Sequence, residues 1–221
     1  DLMIPTLLQL GLLSYNQGAV NEALAYYKRI FEYNPSADQT EGALAAIREI
    51  YVEDLGDSEG YVEFLESIDG YDVTDLEKDA LAFRTAENKY ENAEYEAAIP
   101  AYTSYLQKYP RGANVLAAYF QRGDSYTFLK QFEKALSDFE EVVKKGNSKY
   151  YERSVRNAAL ISYNNQEDFQ AAYTYYIEWE KVAVSEQDRF EAQLGALRSA
   201  YRTSKRAEVL RLSSLVAENS R

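Results

Sequence analysis

The sequence predicts an all-α fold in which about six helical hairpins stack into a solenoid. A small residue recurs at steps of 37 or 38 residues, and an aromatic residue follows it four positions later. The small positions are Ala23, Gly60, Ala98, Ala135, Ala172 and, less regularly, Leu210; the aromatic ones are Tyr27, Phe64, Tyr102, Phe139 and Tyr176, with Ser214 as the exception. A step kept through the whole chain indicates an array of structural repeats.

Each repeat is predicted to consist of two helices joined by a short turn. Apolar and small residues follow the helical spacing i, i+3, i+4, i+7. In the fourth repeat this spacing occurs twice, from Tyr119 to Tyr126 and from Phe132 to Phe139. Turn-forming residues lie between the two helical stretches of other repeats, at 16–18, 55–57 and 164–166.

The predicted helices follow one another in pairs. They span residues 4–16, 19–33, 38–54, 58–67, 75–92, 95–108, 113–129, 132–145, 149–165, 168–182, 187–203 and 205–218. The repeats form one domain, residues 1–221, with units at about 4–37, 41–74, 79–112, 116–149, 153–186 and 191–221. Ser36 with Gln39 and Thr74 with Glu77 fit the capping box that begins a helix. Pro100 should bend its helix, because proline removes one helical hydrogen bond.

The repeated pattern resembles that of the tetratricopeptide repeat (TPR) family. The fourth repeat matches at Tyr119, Gly123, Tyr126, Phe132, Ala135 and Phe139, the first at Leu7, Leu10, Gly11, Gly18, Ala23, Tyr27 and Pro35, and the third at Ala82, Ala86, Tyr95, Ala98, Tyr102 and Pro110. The resemblance implies a right-handed α-solenoid of about six TPR-like hairpins. The step is longer than the family's, which is about 34 residues, so we expect a different bend of the superhelix.

Two stretches, residues 15–18 and 95–99, are similar to those of bacterial cell-envelope TPR proteins. This narrower resemblance implies a periplasmic or outer-membrane-associated location and a role in envelope assembly. No apolar run reaches the length of about 18 residues that a transmembrane helix needs. The chain begins at Asp1, without an initiator methionine, and continues with an apolar edge at residues 2–8. We therefore expect a piece of a longer array.

Charge is distributed unevenly along the chain. The net charge is −12, yet residues 32–97 hold 19 acidic and 4 basic side chains, a net of −15. Residues 198–221 hold 6 basic and 2 acidic side chains, a net of +4. An acidic protein repels phosphates, so nucleic acid is not an expected partner. The basic cluster could contact an anionic partner, but a solvated helix face is the simpler interpretation.

An enzymatic function is not expected. The chain contains no histidine and no cysteine, which removes the commonest general base, the thiol nucleophile and the usual zinc ligands. No nucleophile elbow or phosphate-binding glycine loop is present. The acidic residues from Asp69 to Glu77 lack the alternating ligand spacing of a calcium loop, so we interpret them as a turn and helix cap. We therefore predict no catalytic residue, no metal and no cofactor.

The repeat register predicts where a partner would bind. In the family, the first helix of each repeat lines the inner wall of the superhelix, and the groove holds a segment of a partner protein. The residues expected on this wall are Tyr15, Glu49, Glu53, Phe83, Glu87, Tyr90, Glu91, Phe120, Asp124, Thr127, Asn157 and Asn164. The wall is acidic and aromatic in its middle and amide-rich beyond it. We expect a protein or peptide partner that carries Lys or Arg beside an apolar anchor.

Three alternatives remain open from the sequence. The acidic residues could serve only to keep a thin protein soluble. Exposed tyrosines could stack on sugars in a carbohydrate-binding outer-membrane helper, which would require exposed coplanar rings. The third alternative is an architectural spacer that assembles with itself, in which the acidic second and third repeats meet the basic end of another copy.

Overall fold

The computed structural model describes residues 2–219, which form twelve α-helices and no strand. The helices are α1 (Met3–Asn16), α2 (Val20–Arg29), α3 (Ala37–Arg48), α4 (Ser58–Glu66), α5 (Asp75–Glu91), α6 (Tyr95–Lys108), α7 (Val115–Phe128), α8 (Phe132–Lys145), α9 (Tyr151–Asn164), α10 (Phe169–Val182), α11 (Glu186–Arg202) and α12 (Arg206–Asn219). The all-α prediction is confirmed. Residues 220 and 221 of the predicted sixth repeat lie outside the described residues.

Most of the small and aromatic series of the sequence lies in the core; Gly60 and Phe64 are half-buried and Leu210 is exposed. Ala23, Ala98, Ala135 and Ala172 are fully buried, and the aromatic residues four positions later, Tyr27, Tyr102, Phe139 and Tyr176, are buried as well. The ring of Tyr27 packs directly on the first helix of its hairpin, where a Cβ added at Gly11 would lie 2.6 Å from the ring. Small residues on one helix thus admit the rings of the next.

The core extends along the chain as a series of clusters. Buried side chains group within residues 4–81, 83–118, 120–161 and 155–212, so each cluster involves residues of neighbouring hairpins. Such a string of local cores is the packing expected of an α-solenoid, in which each repeat contacts its neighbours. The predicted α-solenoid of TPR-like hairpins is confirmed.

The turn between the two helices of every hairpin contains one residue at positive φ. These residues are Gly18, Gly56, Ala93, Lys130, Glu167 and Ser204, spaced at 37 or 38 residues. The turns after α5 and α7 are closed by two hydrogen bonds, as in the turn at Ala93, whose N–H donates to Tyr90 while that of Glu94 donates to Lys89. This pattern is the left-handed helix cap known as the Schellman motif.

Both predicted capping boxes are present. Ser36 and Thr74 each accept a hydrogen bond from the backbone N–H three residues later, and the side chains of Gln39 and Glu77 accept from the backbone N–H groups of the cap residues. These bonds satisfy amides that the first turn of a helix leaves free. Pro100 lies inside α6, and the helix continues on both sides of it.

The helix predicted over residues 38–54 changes its winding part of the way along. After Arg48 it continues as a π-helix from Glu49 to Asp54, in which the N–H of Leu55 bonds to the carbonyl of Ile50. Three consecutive side chains, at positions 50–52, are buried there. Because successive residues of an α-helix are about 100° apart, a wider turn brings three neighbours closer to one buried side.

Candidate partner-binding surface

Neighbouring first helices place most of the predicted site residues side by side. The surface formed by α1, the α3–π segment, α5, α7 and α9 is called the first-helix wall here. Hydrogen bonds across it join Tyr15 to Glu49 at 3.4 Å, Gln121 to Glu87 at 3.5 Å, Tyr90 to Asp124 at 3.2 Å and Asn157 to Asp124 at 3.3 Å. The two residues of each bond are 33 or 34 positions apart in sequence, so each bond joins the first helices of neighbouring repeats.

The middle of the wall is acidic around a single guanidinium group. Arg84 contacts Glu53 at 3.3 Å, Glu87 at 3.2 Å and Glu91 at 3.1 Å. Glu53 also accepts a hydrogen bond from the side chain of Asn88. These three carboxylates give the cluster three negative charges against the one positive charge of Arg84. Exposed ion pairs contribute at most about 1 kcal/mol each to stability, so the cluster chiefly sets the charge of the surface.

Sequence reasoning did not include Arg84 in the site. The signal was available, because Arg84 lies three and seven residues before Glu87 and Glu91 and therefore on the same face of α5.

Asp124 links three helices at the centre of the wall. Its carboxylate accepts hydrogen bonds from Tyr90 on α5 and Asn157 on α9, and Arg153 lies 3.6 Å away. Asp124 is only 8% exposed. Burial raises the pKa of Asp124, an effect opposed by the charge of Arg153 and the bond from Tyr90. This residue therefore joins α5, α7 and α9 and offers little surface to a partner.

Two of the predicted residues face the core. Phe83 packs against Tyr102 and Tyr105, with ring centroids 6.0 and 5.5 Å away. Phe120 packs against Phe139 and Tyr150 at 5.9 and 5.1 Å. Both are buried, so the prediction that they lie on the binding wall is corrected.

The remaining predicted residues reach the surface to different degrees. Glu49, Glu53, Glu91 and Asn164 are exposed, while Tyr15, Glu87, Tyr90, Thr127 and Asn157 are half-buried. Burial, followed by the carboxylates of Asp54 and Glu49, raises the pKa of Tyr15 to about 12, so this phenol stays neutral at physiological pH. The accessible part of the wall is thus carboxylate-rich, with phenol and amide groups between the carboxylates.

An exposed aromatic group borders the acidic part of the wall. Phe128 is 60% exposed at the end of α7. Its ring stacks on Tyr95, with centroids 4.3 Å apart and planes 6° from parallel, and Tyr95 meets Tyr90 edge to face at 6.0 Å. Because Tyr90 belongs to the wall, this stack places an apolar surface next to the carboxylates.

The described residues show neither a candidate metal centre nor a candidate membrane helix. Within residues 2–219, no three Asp or Glu side chains gather in a way that could hold a metal ion. No helix in this part of the chain combines the length and the apolar character that crossing a membrane requires.

Several solved structures are similar to this chain, and three of them are described here. A Pseudomonas aeruginosa protein, pilF, is 16% identical, and the match covers 99% of this chain and 92% of that one with a TM-score of 0.49. The TPR-like repeats of a putative kinesin light chain from Podosopora anserina are 16% identical, with 80% and 92% covered and a TM-score of 0.48. A tetratricopeptide repeat protein from Parabacteroides merdae is 16% identical, with 99% and 80% covered and a TM-score of 0.42. No curated protein sequence matches the chain.

Family models identify the repeats directly. Residues 6–37 and 79–111 match one model described as a tetratricopeptide repeat, and residues 116–144 match another with the same description. These segments are the hairpins α1–α2, α5–α6 and α7–α8, which are the repeats whose residues carried the resemblance. These three hairpins are therefore tetratricopeptide repeats, and proteins of that family are generally non-catalytic scaffolds that bind protein partners.

Proposed function

We propose that the chain binds an extended or helical segment of a partner protein along the first-helix wall, and that the segment carries Lys or Arg beside an apolar side chain. The observation that carries this proposal is the convergence of Glu53, Glu87 and Glu91 on Arg84, with the exposed ring of Phe128 bordering the same wall. A groove lined in this way is suited to recognising a peptide by its charges and one apolar anchor.

The charges define the chemistry of the partner. Three carboxylates face one guanidinium group, so a basic side chain brought to this surface meets uncompensated negative charge. Charge complementarity of this kind mainly increases the association rate and the specificity, and it weakens as salt is added. The apolar anchor then supplies contact area on the stack of Phe128 and Tyr95.

Photocrosslinking from position 128 in lysate of the native host, followed by mass spectrometry, identifies the bound protein. The affinity of that protein is then measured for Glu87→Lys/Glu91→Lys. We expect the dissociation constant to rise at least about tenfold and its salt dependence to decrease, because two attractions become repulsions.

Glu133→Lys provides the control. Glu133 is exposed on the second helix α8, away from the wall, and its reversal also makes the protein less acidic. This variant should bind as the wild type does. Unchanged affinity and unchanged salt dependence in the Glu87→Lys/Glu91→Lys variant would refute the proposal.

The geometry of the aromatic stack favours a protein segment over a carbohydrate. A sugar-binding platform requires rings that share one plane and leave the same face open. Tyr95 and Phe128 lie face to face, so each ring covers one face of the other. A glycan array tests the carbohydrate alternative directly. An envelope location of the binding remains a prediction from the resemblance, and fractionation of native host cells tests it.

A further inference from the structure

We propose that the chain associates head to tail with a second copy of itself, through two surfaces distinct from the first-helix wall. The basic patch is formed at the junction of α11 and α12 by Tyr201, Arg202, Ser204, Arg206, Val209 and Leu210. The acidic segment comprises residues 69–77, which are the end of the loop after α4 and the first turn of α5. The basic patch of one copy receives the acidic segment of the next.

The basic patch is a depression with an exposed apolar floor and a cationic rim. Its volume is about 640 Å³. Tyr201 and Leu210 are 73% and 72% exposed, which is unusual for large apolar side chains that lie together. Arg202 and Arg206 border them, and Arg202 is held over the ring of Phe169 at 3.9 Å. The patch therefore suits an apolar side chain flanked by carboxylates.

The acidic segment has that complementary composition. Leu76 is 68% exposed, Tyr71 is also exposed, and the exposed carboxylates of Asp69 and Asp72 flank them. The segment is anchored to the protein because Val73 is buried. Its end is further fixed by the capping box at the start of α5. The exposed side chains are thus presented from an ordered backbone, which reduces the entropy lost on association.

The long-range charges favour the same pairing. Residues 32–97, which contain the acidic segment, have a net charge of −15, and residues 198–221, which contain the basic patch, have a net charge of +4. Each copy repels another copy except where opposite charges meet. Because the two surfaces differ, the contact is heterologous, and every bound copy keeps one unused surface of each kind. The association therefore continues into a chain of copies or closes into a ring.

Sedimentation velocity of the 221-residue chain over a range of concentrations tests this inference. At about 0.1 M salt, where charges are screened over about 10 Å, the mean mass should rise with protein concentration; at about 1 M salt, where screening occurs within about 3 Å, it should fall toward the monomer. A monomer at every concentration in the lower salt would overturn the proposal.

Charge-reversal variants test which surfaces meet. Asp69→Lys/Asp72→Lys and Arg202→Glu/Arg206→Glu should each raise the dissociation constant of self-association at least about tenfold. Mixed together, the two variants should associate again, because the intact acidic segment of one meets the intact basic patch of the other and the two reversed surfaces are complementary as well. A chain with all four reversals should associate again.

Lys144→Glu/Lys181→Glu is the matched control for net charge. Both lysines are exposed on second helices, and each pairs with a glutamate on its own helix, at 3.3 and 3.0 Å. This variant changes the net charge by as much as Arg202→Glu/Arg206→Glu does and should retain self-association. Association that survives either single-surface reversal, with folding verified by circular dichroism, would show that other surfaces are used. Neither outcome depends on the partner proposed for the first-helix wall.

Discussion

Replacing Gly195 with alanine should destabilise the contact between α10 and α11. A Cβ at this position would lie 2.5 Å from both the Cδ1 and the Cζ atoms of Tyr176. The Tyr176 ring has little room to move, because it is buried and its centroid lies 6.2 Å from that of Trp179 and 6.3 Å from that of Tyr163. Overpacking of a core costs about 1–3 kcal/mol, and so close a contact falls in the upper half of that range.

Alanine also stabilises a helix interior relative to glycine, by about 1 kcal/mol. The expected net loss for Gly195→Ala is therefore about 1–2 kcal/mol in the free energy of unfolding. For a chain of this length, such a loss lowers the melting temperature by about 2–8 °C. Thermal and urea unfolding followed by circular dichroism measure both quantities.

Gly42→Ala is the control, because a Cβ added there meets nothing within 4 Å. Gly42 lies within α3, so its replacement should stabilise the protein by about 0.5–1 kcal/mol. In a Tyr176→Leu background, the penalty of Gly195→Ala should largely disappear, since the ring that it meets is absent. A Gly195→Ala variant as stable as the wild type would refute this account of the packing.

Two further predictions concern polar groups. The guanidinium of Arg122 donates two hydrogen bonds to the buried carboxylate of Asp138, of 2.8 and 2.7 Å. Asp138→Asn should therefore lower the free energy of unfolding, measured in urea, by about 3–5 kcal/mol. A loss below about 1 kcal/mol would contradict this account of the ion pair. Hydrogen bonds from Thr74 hold the pKa of Glu77 below its usual value of 4.5. The ionised form of Glu77 therefore stabilises the folded chain above pH 4.5. This contribution is lost as the pH falls through the lowered pKa. The stability difference between wild type and Glu77→Gln should therefore vanish in acid, and a constant difference across the pH range would refute this.

The fold was predictable because its signals are local and periodic. The capping residues at Ser36 and Thr74 mark helix starts without reference to any other part of the chain. The π-helix at Glu49–Asp54 was not predicted. It accompanies the burial of three consecutive side chains. The apolar spacing of an ordinary α-helix does not distinguish such a segment from its neighbours.

The candidate site was less predictable because it depends on the rotation of each helix about its axis. The register placed Glu53, Glu87 and Glu91 on a common surface, and all three contact Arg84 in the structure. The same register placed Phe83 and Phe120 there, but both rings turn inward to meet aromatic side chains of the second helices. A small change of helix rotation decides between these outcomes, and the sequence period does not determine it.

The left-handed turns accept different types of side chain while the backbone of each hairpin keeps the same conformation. Four of the six positive-φ turn positions hold residues other than glycine, namely an alanine, a lysine, a glutamate and a serine. An L-residue pays about 1–2 kcal/mol for this conformation, so packing of the adjoining helices must impose it. The residue at the turn can then be neutral, cationic or anionic without altering the hairpin. The edge of the array formed by these turns is accordingly a place where new surface properties can be introduced, by mutation or by design, while the solenoid beneath is preserved.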